Sequence, residues 1–316
     1  MNKLIMLFLG ASITSAGHAQ TANCATVGTD NAFLGIQTIR LWPGTAPEAK
    51  GATCNDIPAL TLFEPRQGSA NGSAVIILPG GGYVHLAGDL EGREVADWFA
   101  ARGFRAFILS YRLASNGYLL PVPLLDARRA IQTVRARALD YHIDPNRIVV
   151  IGFSAGGHLA ALTGTQFVGG DPNAEDPIDR ASSRPDFMVL GYPWIGALGT
   201  DFTHLNYCKE LNIMDRCEAL RAAYSPDLFV SKDTPPTFIY HTFNDQTVPV
   251  EQSLRFYDAL VKAGVPSEMH IFANGAHGSG LGKGDPALDQ WPDLLENWLR
   301  AEGLLTVDKA VVGAKP

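Results

Sequence analysis

The chain has 316 residues, of which 46% are hydrophobic and 18% charged, and this composition suits a soluble globular protein with a sizeable core. Its formal net charge is −7 and both signs are mixed along the chain, so no basic stripe marks it as a nucleic-acid-binding protein. The sequence contains no internal repeat and no low-complexity segment.

Residues 1–19 have the layout of a secretory signal peptide. Lys3 gives a positive start, residues 4–14 are mostly apolar, and small residues end at Ala19. A membrane anchor is the alternative, but the apolar stretch is too short to span a bilayer comfortably. No lipobox precedes Cys24, which argues against a lipoprotein. We therefore expect a periplasmic or secreted protein that has no membrane contact after cleavage of the signal peptide.

The cysteine count agrees with export, because an even number in an exported chain favours disulfide bonds. The four cysteines are Cys24, Cys54, Cys208 and Cys217. We favour the pairing Cys24–Cys54 with Cys208–Cys217, since each pair lies within one local segment; four free buried thiols are the alternative. The sequence has no Cys-x-x-Cys motif and no tight Cys/His cluster, so no metal site is predicted.

Short apolar runs predict β-strands, and several of them lack polar alternation, as expected for strands that are buried on both faces. In chain order they are 36–42, 59–65, 74–79, 105–111, 147–153, 186–192, 237–243 and 267–273. No helical pattern separates the first two runs, which predicts an antiparallel hairpin or meander at the start of the sheet.

Helical patterns lie between many of the later runs, at 91–103, 124–142, 250–264 and 291–303. Strands that alternate with helices predict an α/β fold, with a mostly parallel, doubly wound sheet and helices on both faces. We expect one domain at residues 20–305 and a flexible tail at 306–316. Residues 194–234 are predicted to form an irregular insertion over the carboxyl edge of the sheet, where it can shape a pocket.

The run Gly152-Phe153-Ser154-Ala155-Gly156 fits the pattern G-x-S-x-G, with a predicted strand before it and a helix-forming run after it. A serine at a sharp strand-to-helix turn has strained backbone angles and a projecting hydroxyl, and larger neighbours than glycine would clash there. The alternative is a glycine-rich turn whose serine only caps a helix. The strand, the turn and the helix together favour a nucleophilic serine.

A nucleophilic serine needs a base, and the base needs an orienting acid. In folds of this kind both residues follow the serine, acid first, on loops after strands. Asp245 follows the run 237–243 and His277 follows the run 267–273, so Ser154, Asp245 and His277 are the predicted catalytic residues. The competing candidates are His204 as the base and Asp201 or Asp227 as the acid.

The run LPGGGY at 78–83 places glycines directly after a predicted core strand, where the backbone can approach a substrate closely. The amides of Gly81, Gly82 and Ala155 are the predicted oxyanion-hole donors. A phosphate-binding loop is the alternative, but G-x-G-x-x-G and a Walker lysine are both absent. Candidate substrate-binding residues, for which simple packing is an equal alternative, are Tyr83, Tyr111, Arg112 and Trp194.

These motifs resemble the α/β-hydrolase carbohydrate esterases, a group that includes acetyl xylan esterases and feruloyl esterases. LPGGGY, GFSAGGHLAA at 152–161 and the Ala-His-Gly around His277 carry the resemblance, which extends over most of the chain. It implies an α/β-hydrolase fold, with Ser154 as nucleophile, His277 as base and Asp245 as acid. Two departures from the family are Pro79, where many esterases have histidine, and Leu90, where the family often has histidine before Glu-Gly.

The resemblance further implies an exported enzyme that acts on acetylated plant polysaccharide or its fragments. We therefore expect a serine esterase that removes short acyl groups, above all acetyl, from carbohydrate hydroxyls through an acyl-enzyme, with no cofactor. The expected substrates are small-molecule, oligosaccharide or polysaccharide esters. The two alternatives are a serine peptidase of the prolyl-oligopeptidase type and a non-catalytic hydrolase fold that serves as a binding protein.

Overall fold

In the computed structural model of the chain, the described residues form one sheet of eight strands, in the order β1-β2-β4-β3-β5-β6-β7-β8. The structure describes residues 37–196 and 214–305, with side chains described from residue 218 in the second range. The strands are β1 (Thr38–Arg40), β2 (Ala59–Phe63), β3 (Ala74–Leu78), β4 (Arg105–Ser110), β5 (Ile148–Phe153), β6 (Phe187–Gly191), β7 (Thr237–Thr242) and β8 (Ser267–Phe272).

Every apolar run that predicted a strand contains one. β2 pairs antiparallel with β1 and with β4, which confirms the predicted antiparallel start of the sheet. All other neighbouring strands are parallel. The predicted α/β class, a mostly parallel and doubly wound sheet, is therefore confirmed.

Helices connect the strands, most of them at the predicted places. They are α1 (Glu94–Ala100), α2 (Val122–Ala136), α3 (Ala155–Thr165), α4 (Met214–Ala223), α5 (Glu251–Ala263) and α6 (Trp291–Ala301). A π-helical turn at Asp89–Arg93 leads into α1. The prediction that 194–234 is irregular is wrong in part, because α4 and a 3-10 turn at Pro226–Phe229 lie within it. Residues 197–213 of this insertion are outside the described residues.

The sheet buries both of its faces, as the continuous apolar runs predict. Alternate residues of β3 contact opposite layers: Ala74, Ile76 and Leu78 face one core, and Val75 and Ile77 face the other. The first core also contains buried residues of α2, α3 and α5, and the second contains those of α1 and α6. Burial of apolar surface at about 25 cal/mol per Å² makes these two layers the main source of stability.

The strand order reverses between β3 and β5, at the centre of the sheet. These strands are parallel neighbours, with Leu78 opposite Gly152. After β3 the chain continues to α1 on one face, whereas after β5 it continues to α3 on the other face. Connections that leave in opposite directions open a crevice at the carboxyl ends of the two strands, which is where open α/β sheets bind ligands.

The proposed signal peptide at 1–19 and the tail at 306–316 lie outside the described residues, so both remain predictions. Within 37–196 and 214–305, no helix has the length and apolar character that crossing a bilayer requires.

Candidate active site

Ser154 lies at the turn between β5 and α3, in a backbone conformation that side-chain-bearing residues rarely adopt. Its φ is 53° and its ψ is −118°. The surrounding glycines are required by close packing: a Cβ on Gly156 would lie 2.6 Å from the carbonyl oxygen of Pro79, and one on Gly152 would lie 2.9 Å from the Cβ of Ala160. The turn therefore places α3 directly against β3 and leaves Ser154 half-exposed in the crevice.

Three side chains that are far apart in the sequence are joined by hydrogen bonds at this turn. Nε2 of His277 is 2.9 Å from Oγ of Ser154, and Nδ1 of His277 is 2.7 Å from Oδ2 of Asp245. Because a carboxylate only accepts hydrogen bonds, the imidazole proton belongs on Nδ1, and Nε2 is left to accept the hydroxyl proton of Ser154. This is the arrangement of a nucleophile, a base and an orienting acid.

Asp245 is buried and its carboxylate is fully hydrogen-bonded. Oδ1 accepts from the amides of Thr247 (2.8 Å) and Val248 (2.9 Å), while Oδ2 accepts from His277. Burial by itself would raise the pKa of Asp245, but hydrogen bonds from His241, His277 and the Val248 amide outweigh it and lower that pKa. The carboxylate is therefore ionised at neutral pH, where it stabilises positive charge on the imidazole.

A second imidazole at this site was not predicted. His241 lies in β7 and is fully buried; its Nδ1 is 2.7 Å from Oγ of Ser253, and its Nε2 is 2.8 Å from the carbonyl oxygen of Val248 and 3.3 Å from Oδ2 of Asp245. The Nε2 proton is thus shared between a carbonyl and the carboxylate. Its sequence position, four residues before the acid and inside a buried strand, gives no functional signal.

Of the competing acid and base candidates, Asp227 is the one that the structure describes, and its carboxylate is engaged elsewhere. Asp227 forms an ion pair with Arg255, whose Nη2 is 2.6 Å from Oδ2 of the aspartate. His204 and Asp201 lie outside the described residues.

The loop after β3 presents backbone amides beside Ser154. Gly80 donates its N–H to Oε2 of Glu91 at 2.7 Å. In the part of the chain that the structure describes, nothing accepts a hydrogen bond from the amides of Gly81, Gly82 or Ala155. Gly81 has a φ of 119°, and a Cβ there would overlap the carbonyl group of His85. Unengaged amides at a helix start and a glycine loop favour a developing negative charge.

Tyr83 and Trp194 both pack against His158, with Tyr83 buried and Trp194 half-exposed. The Nε2 proton of His158 points to the carbonyl oxygen of Tyr224 (2.6 Å), so Nδ1 accepts from the hydroxyl of Tyr83 (2.8 Å). The ring of Trp194 lies 4.4 Å from that of His158, and its backbone amide donates to the carbonyl oxygen of Ser154 (3.1 Å). Tyr83 thus anchors the glycine loop to α3, while half-exposed Trp194 lies beside the nucleophile turn.

Tyr111 and Arg112 follow β4 and both are buried. The Tyr111 hydroxyl donates to the carbonyl oxygen of Pro79 (2.6 Å), so this buried side chain holds the start of the glycine loop in place. Arg112 forms a buried ion pair with Asp126, at 2.6 Å between Nη2 and Oδ1, with side-chain exposures of 1% and 0%. The structure therefore favours, for Arg112, the packing alternative over the substrate-binding one.

Among the described residues, no cluster of three or more His, Cys, Asp or Glu side chains has a geometry suited to a metal ion. No cysteine in this part of the chain is a free thiol; Cys54 is the cysteine whose side chain is described. Cys24, Cys208 and the side chain of Cys217 are outside it, so the disulfide pairing remains a prediction.

Comparison with known proteins divides the chain between two family models. The BD-FAE model matches residues 60–190, which include the glycine loop and Ser154. The prolyl oligopeptidase family model matches residues 186–301, which include Asp245 and His277.

A solved structure described as an acetyl ester-xyloside bifunctional hydrolase from Caldicellulosiruptor lactoaceticus is 40% identical to this chain, with a TM-score of 0.75. The match covers 85% of this chain and 97% of that one. The chain belongs to the α/β-hydrolase family of carboxylic ester hydrolases. Its mostly parallel sheet with flanking helices is thus that of an α/β-hydrolase.

Two curated relatives of this α/β-hydrolase are enzymes of xylan breakdown by name. An acetylxylan esterase from Xylanibacter ruminicola is 31% identical over 247 residues, covering 77% of this chain and 48% of the relative. An endo-1,4-beta-xylanase B from Butyrivibrio fibrisolvens is 34% identical over 206 residues, covering 65% of this chain and 32% of the relative. The chain therefore spans about a third to a half of the length of these curated relatives.

Proposed function

We propose that this α/β-hydrolase is an exported serine esterase that removes short acyl groups, acetyl above all, from hydroxyls of plant cell-wall carbohydrate. The observation that carries the proposal is the hydrogen-bonded row of Ser154, His277 and Asp245, which lies beside three unengaged backbone amides.

The chemistry follows from the positions of the protons. Nε2 of His277 takes the hydroxyl proton of Ser154 as Oγ attacks the ester carbonyl. Asp245 accepts from Nδ1 and stabilises the imidazolium that forms. The amides of Gly81, Gly82 and Ala155 bind the oxyanion of the tetrahedral intermediate, a role in which one donor is typically worth about 3 kcal/mol.

The intermediate then collapses to an acyl-enzyme on Ser154. His277 returns the proton to the departing alkoxide, which leaves as the free hydroxyl of the sugar. A water molecule next attacks the acyl carbonyl as His277 takes its proton, and collapse of the second intermediate releases the carboxylic acid and restores Ser154. In each half of the reaction His277 takes one proton and gives it back, first to the sugar alkoxide and then to Oγ of Ser154, so the protons balance.

Support for the substrate class comes from the relatives. Two of them are named for acetyl ester hydrolysis, and three are named for xylan or a xyloside. These names describe those proteins; for this chain, acetylated xylan or its oligosaccharides are the proposed substrates.

A serine peptidase remains the second candidate because the prolyl oligopeptidase model matches the half of the sheet that carries the acid and the base. The nucleophile and the glycine loop lie in the BD-FAE match instead. A peptidase would cleave a proline-type 4-nitroanilide faster than 4-nitrophenyl acetate relative to the uncatalysed rates, whereas an esterase would show the reverse.

Acetate release from acetylated xylan, measured beside hydrolysis of methyl ferulate, tests the proposal. We expect acetate release, and we expect Ser154→Ala to abolish it while Ser69→Ala, at an exposed turn, leaves it unchanged. Ferulate release without acetate release would assign a different acyl group. Turnover that survives in Ser154→Ala would refute the serine mechanism.

We also propose export through the signal peptide at residues 1–19, with Cys24–Cys54 and Cys208–Cys217 forming disulfides in the mature protein. The composition of residues 1–19 supports export. Edman sequencing of the protein from the culture medium or periplasm should begin at Gln20. Peptide mapping without reduction should recover the two cysteine pairs; retention of residues 1–19 in the fractionated cells would contradict the proposal.

A further inference from the structure

Glu91 is a buried carboxylate that the proposed mechanism does not use. It lies in the π-helical turn before α1 and is only 2% exposed. Its Oε2 accepts the amide proton of Gly80 (2.7 Å), and its Oε1 accepts the hydroxyl proton of Tyr192 (2.7 Å). A Cβ on Gly80 would lie 2.6 Å from that Oε2, so the glycine at this position is matched to the carboxylate.

The hydrogen bonds continue from Glu91 to the loop that carries His277. The Tyr192 hydroxyl, which donates to Glu91, accepts the amide proton of Gly280 at 3.0 Å. The ring of Tyr192 lies 4.8 Å from that of His277. One carboxylate thus connects the loop that presents the oxyanion amides with the loop that presents the base.

The hydrogen-bond donors define the charge of Glu91. Both carboxylate oxygens accept protons from neighbouring groups, which is the pattern of an ionised side chain. Burial raises the pKa of Glu91 above its usual value, and the hydrogen bonds from Tyr192 and Gly80 and the nearby His277 offset only part of that rise. Among the ion pairs of the described residues none involves Glu91, so this buried anion has no arginine or lysine partner.

The titratable groups that face Glu91 leave His277 as its main electrostatic partner. Burial raises the pKa values of three neighbouring phenols, which are therefore neutral: Tyr111, Tyr192 and Tyr240. His85 is exposed to solvent, and Asp245 is the other carboxylate at the imidazole. Nearby cations on the adjoining elements pair with surface carboxylates: Arg93 with Asp89 and Asp97, and Lys283 with Glu94.

We propose that Glu91 is a positioning residue for the reaction: it braces the glycine loop against the base loop through Tyr192, and its charge adds to that of Asp245 in stabilising the imidazolium of His277. The inference rests on the proposed esterase function. Because an imidazolium forms in the transition state and not in the resting enzyme, such a charge accelerates the reaction more than it strengthens substrate binding.

The charge is tested with Glu91→Gln in hydrolysis of 4-nitrophenyl acetate across pH 4–9. Removal of a nearby negative charge should shift the midpoint of the acid limb of kcat/KM to lower pH by about one unit and lower kcat by about tenfold. Asp89→Asn is the matched control, because it also removes a carboxylate from this turn. The side chain of Asp89 is 70% exposed, so solvent screens its charge. A profile for Glu91→Gln that matches that of Asp89→Asn would overturn the proposal.

The brace is tested separately with Tyr192→Phe, which removes the hydroxyl and keeps the charge and the ring. We expect kcat to fall about threefold to tenfold, with the acid limb at its wild-type position. Should Glu91→Gln fail to fold by circular dichroism, wild-type kcat in Tyr192→Phe would by itself refute the brace. If the wild-type protein showed no Ser154-dependent hydrolysis at all, the esterase function itself would be refuted. The failure of this inference and the failure of the proposed function are therefore distinguishable.

Discussion

The strained backbone at Ser154 predicts an unusual order of stability among variants at this position. With a φ of 53° and a ψ of −118°, the residue occupies a region that costs a side-chain-bearing residue about 1–3 kcal/mol and that glycine adopts freely. Ser154→Ala removes the hydroxyl and keeps the strain, whereas Ser154→Gly removes both. Glycine also loosens the unfolded chain, which opposes the gain by about 0.4–1 kcal/mol. We therefore expect Ser154→Gly to be more stable than Ser154→Ala by about 1 kcal/mol.

Urea unfolding followed by tryptophan fluorescence measures this difference, which corresponds to about 1.5 °C in Tm for a chain of this size. The two variants are matched, because both lack Oγ and its hydrogen bond to His277. At an ordinary helix or strand position glycine is less stable than alanine by about 0.5–1 kcal/mol. A Ser154→Gly protein that unfolds at a lower urea concentration than Ser154→Ala would refute the strain argument.

Three further predictions concern acid stability and packing. The pKa of Asp245 is lower in the folded state than in the unfolded chain, so its ionised form stabilises the protein above about pH 4. Urea titrations at several pH values should show that the free energy of unfolding falls more steeply below that pH in the wild type than in Asp245→Asn. Gly156→Ala should lower the free energy of unfolding by about 2 kcal/mol or more, whereas Gly169→Ala, with open space around its Cβ, should change it by less than about 0.5 kcal/mol. Arg112→Leu leaves the Asp126 carboxylate buried without the guanidinium and should lower the free energy of unfolding by about 3–5 kcal/mol. The kcat/KM per folded molecule should stay within about twofold of the wild type. A stable variant with impaired turnover would contradict the interior role of Arg112.

The fold was predictable because its strands are buried on both faces. A run such as AVIIL at 74–78 has no polar residue to mark a solvent side, and in the structure all five residues are buried. The insertion was less predictable, since the segment 214–223 contains charged residues and little apolar periodicity, yet it forms α4. Helix propensity is a weak guide in a segment that carries no apolar periodicity.

The meeting of Ser154, Asp245 and His277 was predictable for a topological reason: each follows a parallel strand, and the carboxyl ends of parallel strands share one edge. The roles of Glu91 and Arg112 were not, because they depend on burial. Glu91 begins a helical pattern and looks solvent-facing in the sequence, and Arg112 looks like a loop residue beside the site. Both side chains are enclosed by neighbours distant in the chain, which only the assembled structure shows.

The proposed nucleophile and the proposed base follow strands at different positions in the sheet, one central and one at the edge. Ser154 leaves β5, which has a neighbour on each side, while His277 leaves β8, the last strand of the sheet and only partly covered. Marginal strands open more readily than central ones under heat or mild denaturant. Loss of turnover should then precede loss of the overall fold. An enzyme assay on a warmed sample would therefore detect opening of the edge strand β8 at a lower temperature than unfolding of the central strands.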